Sequence, residues 1–442
     1  MLWRRPSAAA FLPAVGLITL WQPGLALTDA GRRRSFPARL GRGVRMLTIM
    51  APAALVAWAV FEPYAVLDLG TYIENVVAES RIQRGITDMP YTRQYIGSVP
   101  GWYHLTQYAR WSVGLPLGLT VALALVFAVI AALRRRSARH GVLLAWMLPY
   151  TYAILDLEAK WLRYMLPLSP VLVLLAAALL WRWYDSVHVL AVKGRFAAAR
   201  ALLPATAMVV ILVGTGLWAA AFMRVYAGDH TWVAASRWLY ANAPAGAVIG
   251  TEHWDRQLPI QLPGSDAARF GTYNIAMYDD LAPAEKLDQV RETLRSSDYI
   301  VLASNRLYDS IPRSPWRYPV ATRYYDLLFE ERLGFERVHV VRKAPSLGRL
   351  PAADQRADES FTVYDHPTVT IYRKVRDLQD WEYSALFNDA VLAEWRPVRH
   401  SAPAKSLLLD STRSPAAQGW RYFDGSGQRA GLRRAPGCSR WR

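Results

Sequence analysis

The residues best placed to do chemistry are Lys160 and Arg163. They stand three apart at the head of the segment 156–184, DLEAKWLRYMLPLSPVLVLLAAALLWRWY. Asp156 and Glu158 come just before them, and residues 165–181, seventeen in a row, carry no charge. At 1.5 Å per residue such a run, with Trp181, Trp183 and Tyr184 at its end, is about enough to cross a hydrocarbon core of roughly 30 Å. A spacing of three puts Lys160 and Arg163 on one face of a helix. Two cations at the mouth of a membrane helix can cradle a phosphate at the bilayer surface. The plainer use of the same residues is to snorkel and to pair with nearby acids. Asp156 and Lys160, four apart with the acid first, are in the favourable order for such a pair.

Other candidates read more plainly. Glu252-His253-Trp254-Asp255 follows a short apolar strand, and a His flanked by carboxylates at a strand end can ligate a metal or act as a base. No second His–carboxylate pair lies near it in sequence, so a structural polar loop is the preferred reading. Tyr364, Asp365 and His366, ahead of Pro367, are read the same way. Asp279 and Asp280 read as a helix cap or a solvated loop. Asp68, six residues beyond Glu62, has the position of a general base in an outward loop, but the cap of a helix beginning near Thr71 is preferred. No Ser-His-Asp order, HExxH or glycine-rich phosphate loop occurs, so no metal site and no cofactor is expected. The one cysteine, Cys438, lies in a polar tail and excludes an intrachain disulfide.

The elements that must position these residues are mostly apolar helices. The chain has 442 residues, a hydrophobic share of 53%, 18 Trp and 23 Tyr. Apolar runs cover about 8–27, 46–61, 112–133, 141–155, 164–184 and 201–223, which makes 1–225 a transmembrane region of about six helices. The first run can be read as a membrane helix or a signal peptide; the heavier basic cluster behind it favours the helix. Residues 1–225 carry 23 Lys+Arg against 9 Asp+Glu, and residues 226–442 carry 29 against 26. The basic excess thus belongs to the membrane half and lies between apolar runs, which argues against a nucleic-acid partner. The connections 32–45, 134–140 and 182–200 hold 14 Lys+Arg and one acid, Asp185. By the positive-inside rule they face the cytoplasm. The loop 62–111, the segment 156–163 and everything after about 226 then face outward.

The outer loop 62–111 is rich in Tyr, Trp and Pro. Within it, 71–84 reads as a short amphipathic helix with Ile73, Val76, Val77 and Ile82 on one side. The loop either lies along the headgroup zone or forms a rigid lid over the helix ends. From about 229 the pattern is that of a globular domain. Helices are expected at 230–242, 283–296 and 319–332, and strands at 247–250, 297–304, 335–343 and 369–375. Strands alternating with helices give an α/β domain over 226–376. The stretch 377–442 reads as a weakly structured tail. The fold class is a multi-pass helical membrane bundle followed by an extracytoplasmic α/β domain.

The phrase KWLRYMLPLSP (160–170) resembles the later transmembrane part of polyprenyl-phosphate-sugar-dependent glycosyltransferases of the GT-C type. These are bacterial relatives of the protein O-mannosyltransferases and the lipid A aminoarabinose transferase. FEPYAVLDLG (61–70), MPYTRQYIGSVP (89–100), AGAVIGTEHWD (245–255), SSDYIVLASNRLYDSIPRSPWRYP (296–319) and DESFTVYDHPTVTIYRK (358–374) are similar to the same group, so the resemblance covers most of 46–376. It implies a membrane enzyme of the cell membrane that moves a sugar from a polyprenyl-phosphate donor to an acceptor outside the cytoplasm. Lys160 and Arg163 would then contact the lipid phosphate, with the membrane lipid as surroundings. In that family the catalytic acid lies in the first outward loop of a longer bundle. No position here receives it, so the catalytic residue is unknown. The chain accordingly reads as a carboxyl-terminal half, either a truncated product lacking the catalytic acid or one piece of a two-chain enzyme completed by an upstream membrane subunit. The alternative is a non-catalytic membrane protein whose outer domain binds a glycan or a protein partner.

Overall fold

The computed structural model describes residues 36–134, 138–190 and 197–396. The run 8–27, the end of the chain and Cys438 lie outside the described residues. The chain is mostly helical, carries one five-stranded α/β sheet, and divides into two compact units. One runs to His230 and takes in Arg342–Pro367; the other comprises Thr231–Val341 and the described residues from Thr368 onward.

The first unit contains α1 (Phe36–Phe61), α2 (Leu69–Gln83), α3 (Leu115–Leu133), α4 (Ala138–Leu155), α5 (Ser169–Leu190) and α6 (Ala197–Met223). Three stretches are long and apolar enough to cross a membrane: Leu115–Leu133, Ser169–Val187 and the one starting at Leu202, with mean hydropathies of 2.5, 1.3 and 2.0. Thr48–Phe61 and Leu143–Leu155 are apolar helical stretches of shorter length. Among the described residues, five of the six runs read from the sequence are therefore helical, and three reach spanning length.

The run expected from 164 becomes an α-helix only at Ser169. Pro170 requires the residue before it to leave the α region or open a helix, and it tolerates a helix only in the first turn. Helix α3 packs on α4, α5 and α6. Close approach relies on small residues: Ala124, Ala128 and Ala176 are buried. A Cβ at Gly118 would lie 2.5 Å from the Cα of Ala109, in the π-helical turn Tyr108–Ser112, so this crossing requires glycine.

The loop 62–111 is not one surface layer. Asp68 accepts from the Thr71 amide at 3.3 Å and caps α2, as expected. The half that follows folds inward through a 3-10 turn at Pro90–Tyr95 and a short helix at Trp102–Gln107. Tyr95 and Tyr108 are fully buried in a cluster with Tyr150, Ile154, Trp161 and Leu172. This half packs its aromatic residues into the interior of the first unit.

Arg342–Pro367 adds a small hairpin, Ser346–Leu347 with Leu350–Pro351, and a one-turn helix, Glu359–Thr362, to the first unit. Phe361 stacks on Trp218 at 6.4 Å and packs on Phe222 at 5.2 Å. The span 226–376 is thus not one contiguous domain. The apolar and aromatic residues of 346–363 find their partners on α6 and Trp111 rather than on the sheet.

The second unit contains α7 (Thr231–Asn242), β1 (Val248–Glu252), β2 (Gly271–Ile275), α8 (Pro283–Ser296), β3 (Tyr299–Leu302), α9 (Pro319–Phe329), β4 (Phe335–Val341), β5 (Val369–Lys374) and α10 (Asp380–Leu392). The sheet order is β2-β1-β3-β5-β4. β1 runs parallel to β2 and β3, and β5 runs antiparallel to β3 and β4. All four residues of β3 are buried, as its uninterrupted apolar YIVL predicts for a central strand. The edge strand β2, GTYNI, has no such run and was not legible as a strand.

The weakly structured tail expected from 377 is corrected for its first part. Gln379 and Glu382 form a capping box, and Tyr383, Phe387 and Ala390, at positions i, i+4 and i+7, are buried in the core.

Candidate functional site

The segment that carries Lys160 is not helical at 156–161, and Leu162–Met165 is a single 3-10 turn. Lys160 and Arg163 therefore do not share a helical face, and the expectation built on their spacing is corrected. The segment is tied down instead by the Ala159 amide donating to the Gln83 carbonyl at 3.0 Å, and Pro170 stands in the first turn of α5.

What the fold does instead is separate the two cations by depth around one aromatic residue. Lys160 is 1% exposed, and its ammonium lies 5.6 Å from the centre of the Tyr95 ring. Arg163 is exposed, with its guanidinium 5.1 Å from the centre of the Trp161 ring. Trp161 and Tyr95 meet edge to face at 5.8 Å. Lys160 donates to the Glu158 carbonyl at 2.9 Å, and the Glu158 carboxylate lies 3.7 Å from it. The expected partner, Asp156, is taken by Arg84 at 3.2 Å. Burial pulls the Lys160 ammonium below its ordinary pKa, and Glu158 opposes the shift.

A second buried base stands in the same shell. His104 is 4% exposed, and among the described residues neither ring nitrogen has a hydrogen-bond partner. Burial, aided by the charge of Lys160, lowers its pKa to about 4, which keeps the ring neutral. The Trp161 indole nitrogen is likewise buried without a partner. Tyr103 stands edge-on to His104 at 6.4 Å and to Tyr95 at 5.6 Å.

Asp358 joins the aromatic cluster through Tyr103 and Tyr95. Tyr103 donates to one of its oxygens at 2.7 Å, and the other caps the Glu359–Thr362 helix by accepting from the Ser360 amide at 2.9 Å. Its own amide donates to Gln107 at 3.0 Å, and the Glu359 amide donates to Gln94 at 3.2 Å. Burial raises the Asp358 carboxyl, with the Ser360 and Tyr103 donors opposing, and burial beside Asp358 pushes the Tyr95 hydroxyl well up. Below it, Tyr164 donates to Gln83 at 2.6 Å and Tyr150 donates to the Tyr164 carbonyl at 2.8 Å. His104, Tyr95 and Asp358 are the residues missed from sequence. The density of aromatics in 89–111 was the available signal, but nothing in the spacing told which of them turn inward.

The remaining candidates take structural places. His366 pairs through Nε2 with Asp354 at 2.9 Å, both fully buried. Asp365 accepts from the Tyr226 hydroxyl at 2.8 Å. Burial acts to raise Asp354, but His366, Gln355 and Arg342 outweigh it and hold the carboxyl below its ordinary value.

In the second unit Glu252 ends β1, buried, and accepts from the Tyr325 hydroxyl; burial raises its carboxyl well above the usual range. Asp255 accepts from Ser304, and its pKa is raised by burial against the pull of Arg306. Asp280 is neither a cap nor solvated: Arg317 grips it with two nitrogens, Nε donating at 2.7 Å. Among the described residues no group of His, Cys, Asp and Glu is arranged to hold a metal ion.

No protein-family model, curated protein or solved structure matches this chain.

Proposed function

We propose that this chain is a multi-pass protein of the cell membrane, with its α/β unit outside the cytoplasm, that handles a polyprenyl-phosphate-linked sugar. The phosphate would lie against Lys160 and Arg163, and the sugar would pass to an extracytoplasmic acceptor. One observation carries this reading: Lys160 is a buried cation among aromatic rings at the ends of apolar helices, and among the described residues only Glu158 offers it an oxygen at hydrogen-bond or ion-pair distance. A desolvated ammonium is costly unless matched by an anion, so such a centre favours an anionic ligand. The exposed Arg163 extends the positive field outward. The sidedness rests on the arginine clusters at 32–45 and 134–140.

A second reading is a non-catalytic membrane protein whose α/β unit binds a glycan or a protein partner. It is favoured by Asp358, whose two oxygens are both committed to structural hydrogen bonds and leave it poorly disposed to act as a base. Purified protein in vesicles with a radiolabelled polyprenyl-phosphate sugar separates the two. Label moved to an acceptor, and lost in the Lys160→Ala/Arg163→Ala variant, supports transfer. Binding without transfer, weakened by the same double substitution, keeps the phosphate site and removes the transfer. If polyprenyl phosphate does not bind, or binds equally well to the double variant, the lipid-phosphate reading fails and the second reading stands. Reporter fusions after residue 396 that stay in the cytoplasm would overturn the sidedness.

A further inference from the structure

We propose that His104 and the Trp161 indole complete the Lys160 centre as a buried oxyanion subsite, so that the ligand's phosphate contacts three donors inside the aromatic shell and Arg163 only at its rim. This rests on the lipid-phosphate reading above and specifies how the site divides the phosphate.

Two independent features of the fold point to it. The first is the pair of orphaned groups. His104 is 4% exposed with both nitrogens unpartnered, and Trp161 is 6% exposed with its only donor unpartnered. Buried polar groups are almost always satisfied, and leaving one unmet is costly. The Tyr95 hydroxyl of the same shell is buried without a partner as well, so the shell holds several donors in want of an acceptor. The second is the cation. Lys160 spends one hydrogen on the Glu158 carbonyl, and the Glu158 carboxylate, at 3.7 Å, lies beyond hydrogen-bond reach. Tyr95 links the groups: its ring carries Lys160 on its face at 5.6 Å, meets Trp161 at 5.8 Å, and meets Tyr103, the neighbour of His104, at 5.6 Å.

A neutral imidazole offers one N–H, an indole offers one, and an ammonium offers three. That inventory suits the oxygens of a phosphate better than a carboxylate, which has two, or a neutral sugar, which has no use for the charge. Nothing in the shell prefers one ester to another. A lipid phosphate and free phosphate share the recognised group, and the lipid adds the apolar flanks of α3 and α5.

The test uses the full chain in nanodiscs with and without polyprenyl phosphate, and a separate titration with inorganic phosphate. On the wild-type protein, nitrogen-15 resonances of the His104 ring and the Trp161 indole should move on saturation with the lipid phosphate. His104→Leu should weaken binding about tenfold or more, while His104→Gln, which keeps a neutral N–H, should stay within about threefold of wild type. Because the ring is unpartnered in the free protein, His104→Leu should melt at or above the wild-type temperature, which separates lost binding from lost folding.

Response to the lipid and none to inorganic phosphate names the lipid as the source; equal response to both names free phosphate. Resonances that stay fixed at saturation, or a His104→Leu variant that binds as wild type while Lys160→Ala does not, would overturn the subsite and leave the Lys160 reading standing. Loss of neither would remove that reading as well.

Discussion

Replacing Lys160 with methionine isolates the cost of the buried charge. The stem keeps its length and its contact with the Tyr95 ring, while the ammonium is removed. In the free protein that ammonium makes one hydrogen bond, 2.9 Å to the Glu158 carbonyl, with the half-exposed Glu158 carboxylate 3.7 Å away. A hydrogen bond to a charged group contributes about 1.5–3 kcal/mol, and desolvating an ammonium costs several kcal/mol. The desolvation term wins, so Lys160→Met should be as stable as wild type or more stable by up to about 2 kcal/mol. The pH dependence has a definite sign. Burial lowers the folded-state pKa of Lys160, so between that lowered value and about 10.4 the unfolded chain holds more protons. Wild-type stability should therefore rise with pH across that window, and the variant should lose this slope. Thermal and denaturant unfolding in detergent between pH 7 and 10 measures both. A variant that is destabilised by more than about 2 kcal/mol at pH 7, or that keeps the slope, would refute the claim that Lys160 is held at a cost. The same variant should lose phosphate binding despite its intact fold.

Two further outcomes are expected. At Gly118 an added Cβ meets backbone 2.5 Å away, so Gly118→Ala should cost about 2 kcal/mol or more and lower the melting temperature. Gly216→Ala, on a helix with nothing within 4 Å, should be neutral or slightly stabilising; equal effects at the two sites would contradict the close crossing at Ala109. Tyr325→Phe removes the hydroxyl that donates to Glu252, whose other oxygen already lacks a partner, and should cost about 1–3 kcal/mol in urea unfolding of the full chain. An unchanged midpoint there would mean the Glu252 carboxyl finds another partner.

Much of the architecture was legible because periodicity and run length act locally. The run ending at Leu133, the buried strand YIVL and the helix of 283–296 declare themselves through their own side chains. Asp68 as a cap was legible for the same reason, since its partner is three residues away. The edge strand β2 was missed because half-exposed GTYNI lacks an apolar signal, and α10 because its three buried residues are spread among polar ones.

The composition and order of residues by themselves determined an apolar, arginine-flanked helical half, an α/β half, and the nomination of Lys160 and Arg163. Only the tertiary structure decided that Lys160 turns inward and Arg163 outward, that 342–367 joins the helical unit, that His104 stands near Lys160, and that Asp358 is held by Tyr103. Helical spacing governs neighbours three or four apart, whereas the environment of Lys160 is built by Tyr95 and His104, more than fifty residues away. A charge's depth is set by what the rest of the chain packs around it, and no local pattern encodes that.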